Sequence, residues 1–324
     1  MRTPLKVAAF AGAIVLTFGG ALGLGAAVGN PAPPAVGNGG MPGMEHGAAA
    51  DSAPAGAELP GGLMVSDRGY TLDLAQDSLP AAARVALKFR VLGADGQPVT
   101  GYQQSHDKYL HLIAVRRDTT GFQHVHPELA ADGTWSVPID LTAGEWRVFA
   151  DFVPRQGNAI GKTIVLGADL AVAGDYQPAP LPAPSRTAQV DGYSVTLAGR
   201  LVAGQKSELR LSVARDGQPV TDLQAYLAAY GHLVALRDGD LAYLHVHPAG
   251  TPGDGATQPG PDITFFATTP SAGVYRLFLD FRHGDVVRTA EFTVRADGTP
   301  APGTDPAGAQ TSGPTGSDGH GPSR

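Results

Sequence analysis

The 324-residue chain contains no cysteine. That absence removes disulfides, thiolate metal ligands, type 1 copper chemistry and cysteine nucleophiles together. Methionine is nearly as scarce: besides the initiator only Met41, Met44 and Met64 occur, and none falls in a predicted core. The 23 Lys and Arg against 30 Asp and Glu leave a net charge of -7, with the basic residues scattered rather than banded, so there is no footprint for nucleic acid. Enzymatic signatures are missing too. No serine stands in a nucleophile-elbow context, no glycine-rich loop follows a strand and opens a helix, and no carboxylate pair stands apart from the charged turns. A non-enzymatic protein is expected.

What the chain does contain begins with Arg2 and Lys6, followed from Val7 to beyond Gly29 by an uncharged apolar run through Phe10, Ile14, Leu16, Phe18 and Leu22. Roughly 20 apolar residues suit an export signal or an uncleaved membrane helix, and the two basic residues stay on the inner side. Residues 1–29 are therefore expected to be a signal or anchor helix. The protein would lie at the cell membrane with its bulk extracytoplasmic, or be secreted if the helix is cleaved.

The remainder compares with itself. Asp95-Gly96-Gln97-Pro98-Val99-Thr100 recurs as Asp216-Gly217-Gln218-Pro219-Val220-Thr221, and the same offset (232 − 111 = 121) carries His111, His124, His126 and Pro127 onto His232, His245, His247 and Pro248. Further on, Gly144 to Phe152 matches Gly273 to Phe281 once the loop Gly250 to Gly260 is taken as an insertion. Each copy reads as short strands of alternating polarity between turn residues; Tyr70–Leu74, Arg84–Val91, Tyr109–Arg116, Phe122–His126, Thr134–Ile139, Trp146–Phe152 and Lys162–Val172 are expected in the first. About seven strands in roughly 105 residues predict an all-β protein of two tandem immunoglobulin-like β-sandwich domains, a small barrel being the alternative. The layout is a flexible Pro/Gly-rich stalk at 30–62, a first sandwich at 63–174, a proline-rich linker at 175–189, a second sandwich at 190–296 and a disordered tail at 297–324.

The chemistry lies in the histidines. Within each copy a strand carries one His, twelve residues intervene, and His-Val-His-Pro follows: His111 with His124 and His126, then His232 with His245 and His247. Residues two apart on a strand share a face, about 6.5 to 7 Å apart, so each pair can lean toward one ion. The segment Leu112–Gln123 is short enough for a hairpin around Arg117-Asp118-Thr119-Thr120-Gly121, which sets His111 opposite its pair. Asp151 and Asp280, or water, are candidate fourth ligands, unless each carboxylate pairs with Arg147 or Arg276 of its own strand. Imidazole with carboxylate suits copper or, alternatively, zinc. Met41, Met44 and His46 in the stalk add soft-to-borderline ligands for an auxiliary capture site. His106 and His283 each belong to one copy only, as local additions or solvated loop residues.

The strings His111-Leu112-Ile113-Ala114-Val115-Arg116, Gly121-Phe122-Gln123-His124-Val125-His126-Pro127 and Phe149-Ala150-Asp151-Phe152 resemble a group of uncharacterised actinobacterial exported proteins and, distantly, YtkA-like and FixH-like extracytoplasmic β-sandwich domains. Both sandwiches are covered, from about Leu63 to Arg295. The resemblance implies a metal-handling accessory role; a metal ion, the membrane through the N-terminal helix and a metal-transfer protein are the expected contacts. The competing expectation is a structural or protein-interaction module at the cell surface whose histidines only order its hairpins.

Overall fold

A computed structural model describes residues 59–244 and 246–298, with His247 as backbone. The expected signal or anchor helix at 1–29, nearly all of the stalk at 30–62 and most of the tail lie outside the described residues. Among the described residues no helix is long and apolar enough to cross a membrane.

The first repeat is built from β1 (Ser66–Asp67), β2 (Tyr70–Leu74), β3 (Ser78–Pro80), β4 (Ala82–Leu92), β5 (Tyr102–Gln103) and β6 (Leu110–Arg116). It continues with β7 (Gln123–Val125), β8 (Glu128–Leu129), β9 (Trp135–Leu141), β10 (Gly144–Pro154) and β11 (Ile164–Ala173). One sheet runs β1-β2-β4-β9-β8, and the other runs β3-β11-β10-β6-β7 with β5 on the end of β10. All of these pairs are antiparallel except β3 with β11. Two sheets of that strand order, with the first strand split between them, form the immunoglobulin-type sandwich. The seven strands expected from alternation each fall on a strand of this repeat.

The second repeat follows the same plan with β12 (Thr187–Val190), β13 (Tyr193–Gly199), β14 (Leu201–Val202), β15 (Lys206–Arg215), β16 (Gln218–Pro219) and β17 (Gly231–Arg237). Its remaining strands are β18 (Tyr243–Leu244), β19 (Val246–Pro248), β20 (Asp262–Thr268), β21 (Gly273–His283) and β22 (Val286–Asp297). Its sheets run β12-β13-β15-β20-β19 and β14-β22-β21-β17-β18. The turn before β21 is fixed by Tyr275, whose hydroxyl donates to the Ser271 carbonyl at 2.8 Å. At the same place in repeat 1, the Trp146 indole N–H donates to the Thr142 carbonyl at 2.8 Å. An indole thus does for one repeat what a phenol does for the other.

Each sandwich closes over its own apolar core. Phe89, Trp135, Trp146 and Phe152 lie in the first, and Tyr193, Phe265, Tyr275, Phe281 and Phe292 in the second. A third core lies between the repeats: Ile113, Val115 and Phe149 meet Val234, Leu236, Leu241 and Phe278, with the rings of Phe122 and Phe278 stacked 4.0 Å apart. The reason is visible in the strands. Residues Leu110 to Val115 are all buried, as are Gly231 to Leu236. One set of alternate side chains enters the strand's own sandwich and the other set meets the opposite repeat. The linker is bonded along its length as well. Ala179 N–H donates to Asp118 at 2.9 Å, Ser185 N–H donates to the Thr293 carbonyl at 2.9 Å, and the Arg116 guanidinium lies 5.2 Å from the Tyr176 ring.

Candidate metal centre between the repeats

The site starts from strand register. On β6 the side chains of His111, Ile113 and Val115 point to one face, toward the other repeat; cross-strand pairing puts Asp151, Phe149 and Arg147 of β10 beside them. In repeat 2 the pairs are His232 with Asp280, Val234 with Phe278 and Leu236 with Arg276. Each repeat thus offers a histidine–aspartate pair at the end of an apolar patch, and burying the patches against each other brings the polar ends together.

The hairpin from β6 to β7 turns where expected, with Ile113 opposite His124 and Leu112 opposite Val125. Gly121, in this connection, has φ of +67° and lies against Trp146, where a Cβ would come 2.7 Å from the ring. Glycine is thus required on both conformational and steric grounds.

The three histidines of repeat 1 converge through their ring nitrogens. His111 Nδ1 lies 3.0 Å from His124 Nε2 and 3.2 Å from His126 Nε2, and the three nitrogens form a compact group suited to one ion. Two outer nitrogens are anchored. His111 Nε2–H donates to the Ser105 carbonyl at 3.0 Å, which leaves the lone pair on Nδ1. His124 Nδ1–H donates to Asp280 Oδ2 at 2.8 Å, which leaves the lone pair on Nε2. Carbonyl or carboxylate partners behind a ring in this way are what hold metal-binding histidines in one tautomer and orientation. Asp280 is held in turn by the Thr289 hydroxyl, which donates to Oδ1 at 2.6 Å.

The anchoring carbonyl comes from a turn the sequence does not signal. His106 and Asp107 both have positive φ, 49° and 62°, between the bridged residues Ser105 and Lys108. In repeat 2, Leu227 and Ala228 do the same at 53° and 58° between Tyr226 and Ala229, and His232 Nε2–H donates to the carbonyls of Tyr226 and Leu227 at 3.0 and 2.9 Å. Two successive left-handed non-glycine residues cost energy and persist where their surroundings fix them. Both strained turns serve a buried histidine.

Burial and mutual proximity keep these rings neutral. Desolvation pushes the pKa of His111 down to about 3, that of His126 to about 2 and that of His232 to about 4, with neighbouring imidazoles adding to each. Because His111 Nε2 and His124 Nδ1 each donate outward, their inner nitrogens face each other as lone pairs across the 3.0 Å contact. Facing lone pairs of this kind can ligate a metal ion. The separations suit the metal: two nitrogens each about 2.05 Å from a tetrahedral ion stand roughly 3.3 Å apart.

The centre differs from the expectation of a self-contained site per sandwich. Asp280, expected as a fourth ligand beside repeat 2's histidines, instead holds His124 of repeat 1 and stands behind that ring, not among the converging nitrogens. Asp151 accepts a hydrogen bond from the Tyr243 hydroxyl of repeat 2 at 3.2 Å. Neither carboxylate is engaged by its own strand's arginine. Arg147 pairs with Asp169 at 2.8 Å and reaches the Gly62 carbonyl, and Arg276 pairs with Glu291 at 2.5 Å. His232 packs beside the triad, its ring 6.4 Å from that of His111 and 6.2 Å from that of His124. His245, Met41, Met44 and His46 lie outside the described residues, as does the side chain of His247.

Of the two alternatives for His106, the structure favours a local addition to the site: its ring stands 5.1 Å from His232 and 6.1 Å from His111. The other single-copy histidine, His283, sits apart, between the Tyr193 hydroxyl at 2.7 Å and Asp222 at 3.0 Å. A signal for the interface was present: His111-Leu112-Ile113-Ala114-Val115 and His232-Leu233-Val234-Ala235-Leu236 do not alternate, as strands buried on both faces do not. A small cavity of about 40 Å³ opens beside the triad, lined by Ser105, His106, Asp151, His232 and Tyr243 among others.

No curated protein matches this chain. Among solved structures, a DUF4426 family protein from Pseudomonas aeruginosa is similar at 7% identity and a TM-score of 0.26, over 35% of this chain and 97% of its own. A copper-bound variant of FetP from uropathogenic Escherichia coli is similar at 18% identity and a TM-score of 0.23, over 39% and 98%. The Yersinia pseudotuberculosis adhesin InvE is similar at 15% identity and a TM-score of 0.21, over 70% and 58%. Likenesses of this depth carry no functional argument. The sequence repeats themselves do carry a family: residues 64–168 and 188–298 each match the model of a domain of unknown function, DUF8832, and the chain belongs to that family, with the domain present twice.

Proposed function

We propose that this protein binds one transition-metal ion at the junction of its two sandwiches, with His111, His124 and His126 as ligands, and that the ion is copper, with zinc as the alternative. The carrying observation is the 3.0 Å approach of His111 Nδ1 and His124 Nε2 while the far nitrogen of each ring is committed to Ser105 or to Asp280. A purely nitrogen donor set without thiolate is borderline and suits copper(II) and zinc(II) alike. Copper is favoured by the methionines and histidine of the stalk, Met41, Met44 and His46, which would serve as an auxiliary capture site. The reading is of a binding protein. A cavity of about 40 Å³ at the histidines has room for an ion or a water. The apolar run after Arg2 and Lys6 supports an extracytoplasmic location, where a partner protein would deliver or receive the ion.

The second reading, an interaction module with ordering histidines, rests on the outer hydrogen bonds to Ser105 and Asp280, which fix the rings with no ion. Titration separates the two. Copper(II) or zinc(II) added against a competing chelator should give one tight equivalent and release protons, and His111→Ala should remove that equivalent. Wild-type protein that takes up neither ion beyond weak surface binding sinks the metal reading and leaves the module.

A further inference from the structure

The triad belongs to repeat 1, but the group that fixes His124 belongs to repeat 2. Asp280 stands on β21, almost wholly buried, and its two oxygens are divided between the repeats: Oδ2 takes the His124 Nδ1–H at 2.8 Å, and Oδ1 takes the hydroxyl of Thr289 on β22 at 2.6 Å. Thr289 is directly opposite Asp280 in the β21–β22 ladder, so the carboxylate has a fixed place in repeat 2 whatever repeat 1 does. What brings it to His124 is the apolar contact of Ile113, Val115 and Phe149 with Val234, Leu236 and Phe278. The two repeats also share backbone, since Tyr243 N–H donates to the Gly61 carbonyl at 2.9 Å, in the segment that leads into repeat 1.

We infer that ion binding and the docking of the two repeats are a single linked equilibrium, in which the ion acts as a clasp and Asp280 is the positioning residue that connects them. The inference rests on the metal reading above and adds its regulation. With the repeats docked, Asp280 holds the His124 ring so that Nε2 faces His111, and the site is complete. With the repeats apart, His124 loses its carboxylate, its ring is free to turn, and the ion loses both an oriented ligand and a nearby negative charge. Linkage requires the converse to the same extent: the ion must favour the docked state by as much as docking favours the ion. The duplicated domain then has a purpose that one copy cannot fulfil, because release of the ion passes through loosening of the interface.

The test uses the full chain, with zinc(II) and copper(II) as probes and two readouts. Affinity is measured by chelator competition for the wild type, Asp280→Asn and Thr289→Val. Hydrogen exchange of the Tyr243 amide is followed in each with and without metal. Asp280→Asn keeps the shape of the side chain and removes its charge, and Thr289→Val alters only its support, so both should fold; far-UV circular dichroism checks this. Loss of outer partners of a metal-bound histidine weakens binding about 10- to 100-fold, which is expected for Asp280→Asn, with a smaller loss for Thr289→Val. In the wild type, metal should slow exchange at Tyr243, and in Asp280→Asn that slowing, taken relative to the variant's own metal-free rate, should shrink. Folded variants that bind with wild-type affinity overturn the clasp, as does exchange at Tyr243 that ignores metal in a metal-bound wild type. A wild type that binds no metal refutes the prior reading instead, so the two failures are distinct.

Discussion

Acidifying the metal-free protein tests whether its histidines are buried as neutral rings. His111, His126 and His232 have their pKa values lowered to about 3, 2 and 4, by burial first and by one another second. In the unfolded chain each returns to about 6.5. The sign follows directly. Above pH 6.5 both states are unprotonated at these rings and nothing is lost. Below it the unfolded chain takes up protons that the folded one refuses, so stability falls as pH falls toward the folded values. Each group contributes a slope approaching about 1.4 kcal/mol per pH unit. Counting His111 and His232 in full and the half-buried His126 at half, the loss between pH 6.5 and pH 5 comes to about 4 kcal/mol. That is a large part of an ordinary domain's stability of about 5–15 kcal/mol. Urea unfolding in the presence of EDTA at pH 7.5, 6.5, 5.75 and 5 measures it, in a range where most carboxylates stay ionised. His232→Gln, outside the triad, should reduce the loss by roughly 1 to 2 kcal/mol, the share of one group. Stability that stays level from pH 7.5 to pH 5, or a His232→Gln variant with the wild-type pH profile, would refute the neutral, buried histidines on which the site is built.

Two substitutions test the scaffold. Phe149→Ala empties part of the core between the repeats, where Phe149 is fully buried beside Tyr243; urea unfolding should show a cost of about 3–5 kcal/mol, and a cost below about 1 kcal/mol would mean that the facing sheets are not packed. Gly121→Ala demands a left-handed conformation at φ of +67° and sets a Cβ against the Trp146 ring; a loss of about 1–3 kcal/mol is expected in thermal or urea unfolding, and a neutral variant would disprove the tight hairpin that faces His111 with its pair.

The sequence by itself determined the local parts of this protein. Turn residues such as Asp95-Gly96-Gln97-Pro98 and period-two alternation located the strands, because a strand with one face in a core and one in water writes its register into the chain. The repeat offset showed that the domain occurs twice. The hairpin, only a few residues long, set His111 against His124 and His126, since a short loop leaves little choice of pairing. Tertiary structure alone decided the rest. His124 and Asp280 are 156 residues apart and meet only because two apolar sheet faces, one from each repeat, exclude water together. Periodicity does not encode which face of one domain meets which face of another. The continuous apolar runs of β6 and β17 hinted that a second face was covered, yet nothing in them names what covers it. The left-handed turns at His106-Asp107 and Leu227-Ala228, whose carbonyls hold the buried histidines, likewise owe their shape to the surrounding sheets, because neither dipeptide favours positive φ strongly enough to impose it alone.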